Sequence, residues 1–143
     1  MRNRNKELFI GFLLLLCGCL IYLLFRSKTI RLYQWCEWAG LSESIDSLRQ
    51  LAHGWQLPDF VLYSLPDGLY CASYILVMNA LWNGGKKSRM VMVSLIPMAA
   101  ICHELLQAMG LVRGTFDPVD LLCYVLPLTV FFLGASHSIE SSN

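Results

Sequence analysis

Residues 103–124, HELLQAMGLVRGTFDPVDLLCY, decide the reading of this chain. They set Glu104, Gln107, Arg113, Asp117 and Asp120 between two apolar segments, and ionisable groups among membrane-spanning helices are costly enough to mark a function. The stretch therefore reads as the working end of a small helical membrane protein. Its helix signals are specific. Asp117 suits an N-cap, Pro118 the first helical position, and Asp120, three residues past the cap, the positive end of the helix dipole. Phe116 and Leu121 take the two positions of a hydrophobic staple.

Composition agrees. The chain has 143 residues, 56% hydrophobic and 15% charged, and its mean hydropathy of +0.52 lies far from that of an average soluble domain. A net charge of +1 offers no broad basic face, which leaves a nucleic-acid partner without support. Of six cysteines, Cys17, Cys19, Cys71, Cys102 and Cys123 fall in apolar segments and only Cys36 in a polar one. With no C-x-x-C pair they read as small packing residues, and neither a cofactor nor a metal is expected.

Outward from the opening stretch, Met90 to Met109 is a helix with a possible kink at Pro97, and residues 118–135 form the last one. Before them Asn83 to Arg89, NGGKKSR, reads as a tight cationic turn, placed in the cytoplasm by the positive-inside rule. Leu65 to Trp82 is a helix opened by a Ser64–Asp67 capping box, or one that starts near Asp59 and kinks at Pro66. The apolar run Leu8 to Phe25 follows Arg2, Arg4 and Lys6; its length and flanks favour a retained helix over a signal peptide or a lipoprotein box at Leu16-Cys17-Gly18-Cys19. Between these helices lies a polar region carrying Tyr33, Trp35, Trp38 and Trp55, rings that favour the membrane interface. Leu41, Ile45, Leu48 and Ala52 keep helical spacing there, with Ser42 as cap and Gly54 past the end, which predicts a short amphipathic helix on the membrane surface or packed as a lid.

The fold expected is a single all-α domain over residues 1–143. It is a polytopic membrane protein with four transmembrane helices at about 8–25, 65–82, 90–109 and 118–135 and the amphipathic helix in an external loop, 26–57. Both termini fall in the cytoplasm and the Gly110 to Asp117 loop outside. Arg26, Lys28 and Arg31, at the outer end of the first helix, argue against that orientation.

The spacing E-x-x-Q, then an arginine, then F-D-x-x-D ahead of another apolar helix resembles the VanZ-like family of small bacterial membrane proteins, named after a protein associated with resistance to the glycopeptide teicoplanin. Glu104, Gln107, Arg113, Phe116, Asp117 and Asp120 carry the resemblance. Gly114-Thr115 makes the arginine-to-aspartate step one residue longer than in the family, Tyr124 stands where the family usually has asparagine, and Pro127 lies near the place of an expected glycine. The resemblance implies a polytopic membrane fold and a link to the cell envelope, with no established reaction.

Helix rise puts Asp67 and Glu104 at one depth, both roughly 21 to 23 Å from the cationic turn. With Asp117 and Asp120 they place four carboxylates at one boundary, where Arg113 or a protonated His103 would balance them. Three readings follow. In the first, Glu104 pairs with Arg113, Gln107 satisfies loop backbone and the two aspartates cap a helix. In the second, Glu104, Gln107, Arg113, Asp117, Asp120, Asp67, His103 and Tyr124 line an outward pocket for an amine, a sugar or a peptide of an envelope precursor or lipid-linked ligand. The third makes Glu104 a general base in an intramembrane transferase or hydrolase, with Arg113 stabilising developing charge. That reading lacks a nucleophile, because Cys102 and His103 are adjacent on a helix and point about 100° apart. An accessory subunit, packed against a membrane-protein partner and membrane lipid, is the reading that needs no site.

Overall fold

Asn3 starts the first helix: its side-chain oxygen accepts the Lys6 amide at 3.2 Å, so helix α1 runs Arg4–Phe25 and begins four residues before the apolar run. The computed structural model describes residues 3–140; Arg2, counted above among the N-terminal cations, lies outside them. After α1 come α2 (Arg31–Trp38), α3 (Ser42–Ala52), α4 (Asp59–Tyr63), α5 (Leu65–Leu81), α6 (Lys86–Ala108) and α7 (Pro118–Glu140), with no strand among the described residues. The all-α expectation therefore holds. By length and composition α1 and α6 can each cross a membrane, while the apolar part of α7, Pro118–Gly134, is shorter.

Helix α5 is the axis of the bundle. It buries Pro66, Gly68, Cys71, Ser73, Ile75, Asn79 and Ala80, and the core forms where Cys71 and Ile75 meet Val93 of α6 and Leu128 of α7. Helix α1 lies antiparallel to α5. A Cβ at Gly11 would stand 2.8 Å from Val77 Cγ2 and 3.3 Å from the Ser73 carbonyl, and one at Gly18 would stand 2.8 Å from the Tyr70 ring. Two glycines a heptad apart thus let the α1 backbone close onto α5, as small residues do where apolar helices meet in lipid. The outward faces stay apolar: Phe9 is 69% exposed and Val130 67%. Such faces suit lipid rather than water.

Helices α2 and α3 form an arm over the C-terminal end of α1. The expected amphipathic helix is α3, with Ile45 and Ala52 buried, but Ser42 is its first helical residue and makes no cap; Leu41 holds the cap position without a side-chain bond. Helix α2 was not expected, because eight residues with one buried side chain, Tyr33, carry too little periodicity to read. A Schellman turn joins the two: Gly40 at φ 74° follows α2, with Leu41 N to Cys36 O and Gly40 N to Glu37 O both at 2.9 Å. Arg49 ties the arm to α1, donating to the Leu23 carbonyl at 2.6 Å and the Arg26 carbonyl at 2.8 Å, which satisfies acceptors the helix end leaves unpaired.

Lys28 and Tyr33 also clasp the arm, bonding Asp46 at 2.6 and 2.9 Å. The Lys28 bond, then that of Tyr33, holds the Asp46 carboxyl below the usual carboxylate range, and the same bond raises Lys28. A lowered carboxylate contributes stability above its unfolded pKa and loses it as pH falls through the folded one. The pair is solvent-exposed, so the contribution is small.

Two further local expectations change. Ser64 has helical backbone, φ −96° and ψ −38°, and caps nothing, so the capping box with Asp67 is absent. The alternative reading of a helix from Asp59 interrupted near Pro66 describes α4 and α5, which continue through the Gly68 N to Ser64 O bond. The cationic turn is shorter than 83–89, since α6 already begins at Lys86. Lys86, Lys87 and Arg89 then sit in its first turn, against the helix dipole.

The α1–α5 contact yields a direct test. Gly11→Leu is expected to cost roughly 1–3 kcal/mol by overpacking, while Gly54→Ala, which meets nothing within 4 Å, leaves the thermal midpoint of the detergent-purified protein in place.

Candidate functional site

Four helix ends meet at the arm end of the bundle: the C-terminal ends of α1 and α6 and the N-terminal ends of α5 and α7. Asp117 opens α7 as expected, its Oδ1 accepting the Val119 amide at 2.8 Å. Helix α6 stops at a second Schellman turn, with Gly110 at φ 71° and Leu111 N to Leu106 O and Gly110 N to Gln107 O at 2.9 Å each. A glycine directly after the last apolar turn was the available signal for it. Gly114 has φ 142°, and a Cβ there would run into the Gln107 amide. The Arg113-to-Asp117 step therefore contains the glycine that lets the loop lie on α6.

Asp67 is the centre of the site. Its Oδ1 accepts the Tyr22 hydroxyl of α1 at 2.8 Å and its Oδ2 the Tyr124 hydroxyl of α7 at 3.0 Å. One carboxylate thus joins three helices, and Tyr124 supplies one of the bonds. Glu104 is buried, 6% exposed, and its Oε2 accepts the Asp117 amide at 3.5 Å, joining α6 to the start of α7. Asp120 is half-buried; its Oδ1 is covered and has no hydrogen-bond partner. Asp67, Asp120 and Glu104 all lie close enough to the Tyr124 hydroxyl to act on it electrostatically. Acids from α5, α6 and α7 thus all act on one tyrosine.

The predicted countercharge is not. Arg113 is exposed, and among the described residues it makes no ion pair or hydrogen bond, with Glu104 or any other group. The cation that approaches the site is Arg26, from the segment after α1. Its guanidinium stands 4.8 Å from the centres of both the Tyr22 and Tyr63 rings and reaches the Tyr22 hydroxyl at 3.4 Å, so Tyr22 mediates between Arg26 and Asp67. Sequence reasoning missed Tyr22 and Arg26. The usable signal was a tyrosine in the last turn of an otherwise apolar helix, which antiparallel packing sets level with Asp67.

Gln107 turns to His103, with Nε2 to Nδ1 at 3.3 Å, and makes no side-chain bond to loop backbone. His103 is exposed, as is Cys102. Among the described residues no three His, Cys, Asp or Glu side chains are placed to hold a metal ion. Chemically the cluster is rich in acceptors, and Asp120 Oδ1 holds lone pairs that no donor among the described residues meets.

Fold and site together define an all-helical protein with two helices apolar enough to cross a membrane and a tyrosine-walled carboxylate cluster at one end of the bundle. No protein-family model, curated protein or solved structure matches the chain.

The change of countercharge sets an expected pattern of coupling. Arg113→Gln is near neutral, within about 0.5 kcal/mol, and additive with Glu104→Gln. Arg26→Gln and Asp67→Asn are non-additive by about 0.5 kcal/mol or more. Thermal-melt double-mutant cycles measure both.

Proposed function

We propose that this is a multi-pass protein of the bacterial cytoplasmic membrane. Helices α1, α5, α6 and α7 cross the bilayer, the termini and the Lys86–Arg89 end of α6 face the cytoplasm, and the Asp67 cluster opens outward. The pocket binds a small polar group, cationic or rich in hydroxyls, borne by an envelope precursor or lipid-linked ligand. The likeness of the Glu104 to Asp120 motif to the VanZ-like family supports the envelope setting and an effect on teicoplanin sensitivity.

The observation that carries the binding reading is the covered Asp120 oxygen without a partner. Buried polar atoms are nearly always satisfied, and one left open beside a carboxylate already held by two tyrosines supports a role in ligand contact. Membrane placement is supported by the two long apolar helices and by the apolar outer faces. Helix α5, with 17 residues, spans about 25 Å, a length that local bilayer thinning accommodates.

Two experiments test this. In a cysteine-free background, an impermeant thiol reagent on intact cells labels Thr115→Cys and spares Ser88→Cys; the reverse pattern refutes the orientation. In cells expressing the protein at equal membrane levels, Asp120→Asn removes the change in the inhibitory concentration of teicoplanin that the unaltered protein confers. An accessory subunit held only by its apolar faces would retain the effect in that variant.

A further inference from the structure

A second site lies apart from the carboxylate cluster, in the cleft between the end of α1 and helix α3. It encloses about 380 Å³. Leu24 and Phe25, the last residues of α1, and Trp55 give it apolar walls; Lys28, Arg49 and His53 line it with nitrogen. The one carboxylate in the lining is Asp46, which already accepts Lys28 and Tyr33. Arg49 spends two of its five donors on neutral carbonyls, Leu23 and Arg26, so its charge is not cancelled there. Lys28 and Arg49 against Asp46 leave the cleft net positive before any charge on His53.

Its position matters as much as its charge. The apolar walls belong to the end of a helix long enough to span a bilayer, and the same arm exposes Trp35 and Trp38, with Trp55 68% exposed. Exposed indole rings favour headgroup depth. A cleft lined by hydrocarbon and by cations together matches the junction of acyl chain and phosphate in one molecule. A soluble phosphate would use the cations and leave the apolar walls uncovered.

We infer that the α1–α3 cleft, lined by Lys28, Arg49, His53, Leu24, Phe25 and Trp55, is a binding site for the phosphodiester headgroup of an anionic phospholipid. The site rests on α1 crossing the membrane, as proposed above, and is independent of the carboxylate pocket and its ligand.

The test uses the full chain in phosphatidylcholine vesicles containing phosphatidylglycerol, with Trp55 as sole tryptophan through Trp35→Phe, Trp38→Phe and Trp82→Phe. Brominated phosphatidylglycerol is expected to quench Trp55 more strongly than brominated phosphatidylcholine at equal mole fraction. Lys28→Gln should lower that preference about fivefold, the worth of one basic residue near an anionic surface. His53→Glu, whose side chain holds no hydrogen bond to lose, should lower it too, whereas Asp46→Asn should raise it. If Lys28 and Asp46 form only a structural brace, both of their substitutions shift the preference the same way, and the site is refuted. Equal quenching by the two lipids also refutes it. A preference erased by inorganic phosphate assigns the cleft to a soluble anion instead of a lipid. Quenching by neither lipid places Trp55 away from the bilayer and overturns the membrane placement of α1 along with the site.

Discussion

A carboxylate inside an apolar bundle has to find donors, and Asp67 finds one on each side of its helix. Because α5 carries that group near its start, α1 and α7 must both bring a hydroxyl to the same level, and this requirement fixes their heights beside the central helix. The effect spreads outward along α1. Tyr22 can serve Asp67 because Arg26 stacks on its ring and reaches its hydroxyl, and the backbone carrying Arg26 is held in turn by Arg49 of the arm. Arm and cluster are consecutive links of one polar chain. Polar networks of this kind stabilise most when their members are satisfied, and at this end of the bundle Arg26 Nε and Asp120 Oδ1 are both covered without a partner.

Much of this end of the molecule could be read from the chain. The Asp117 cap is a local matter of residue type and spacing. The level of Asp67 with Glu104 follows from helix rise once a hairpin turn is assigned. What resisted reading was non-local competition. Ser64 and Asp67 have the spacing of a capping box, but Tyr22 and Tyr124 offer the carboxylate stronger use and Ser64 stays helical. Arg113 is the nearest cation to Glu104 in sequence, yet the Gly110 turn carries it to the surface. Arg26, 78 residues from Glu104 in sequence, comes closest to the cluster. Helix α1 shows why such partners hide: it is apolar on every side, so no periodicity marks the face with Gly11, Gly18 and Tyr22 as the one against α5.

The cations after α1 illustrate the same limit for topology. Arg26, Lys28 and Arg31 count against placing this end of α1 outside when every basic residue is weighed alike. In the folded chain Arg26 is taken up by two tyrosine rings. A count of charges cannot separate such an engaged group from cations open to anionic lipid or solvent, which the positive-inside rule tacitly assumes.

The α1–α5 pair is fastened a second time near its opposite end, where Asn79 of α5 donates to Glu7 of α1 at 3.0 Å. Two polar fastenings with two glycine contacts between them act as a vernier. Sliding α1 by one residue moves it only about 1.5 Å, but keeping its side chains in step would demand a turn of about 100°. Gly11 and Gly18 would then leave the contact and bulkier neighbours would enter it. The pair has one register, and the depth of the Asp67 cluster along the bundle is set by a length measured out between residues 7 and 22.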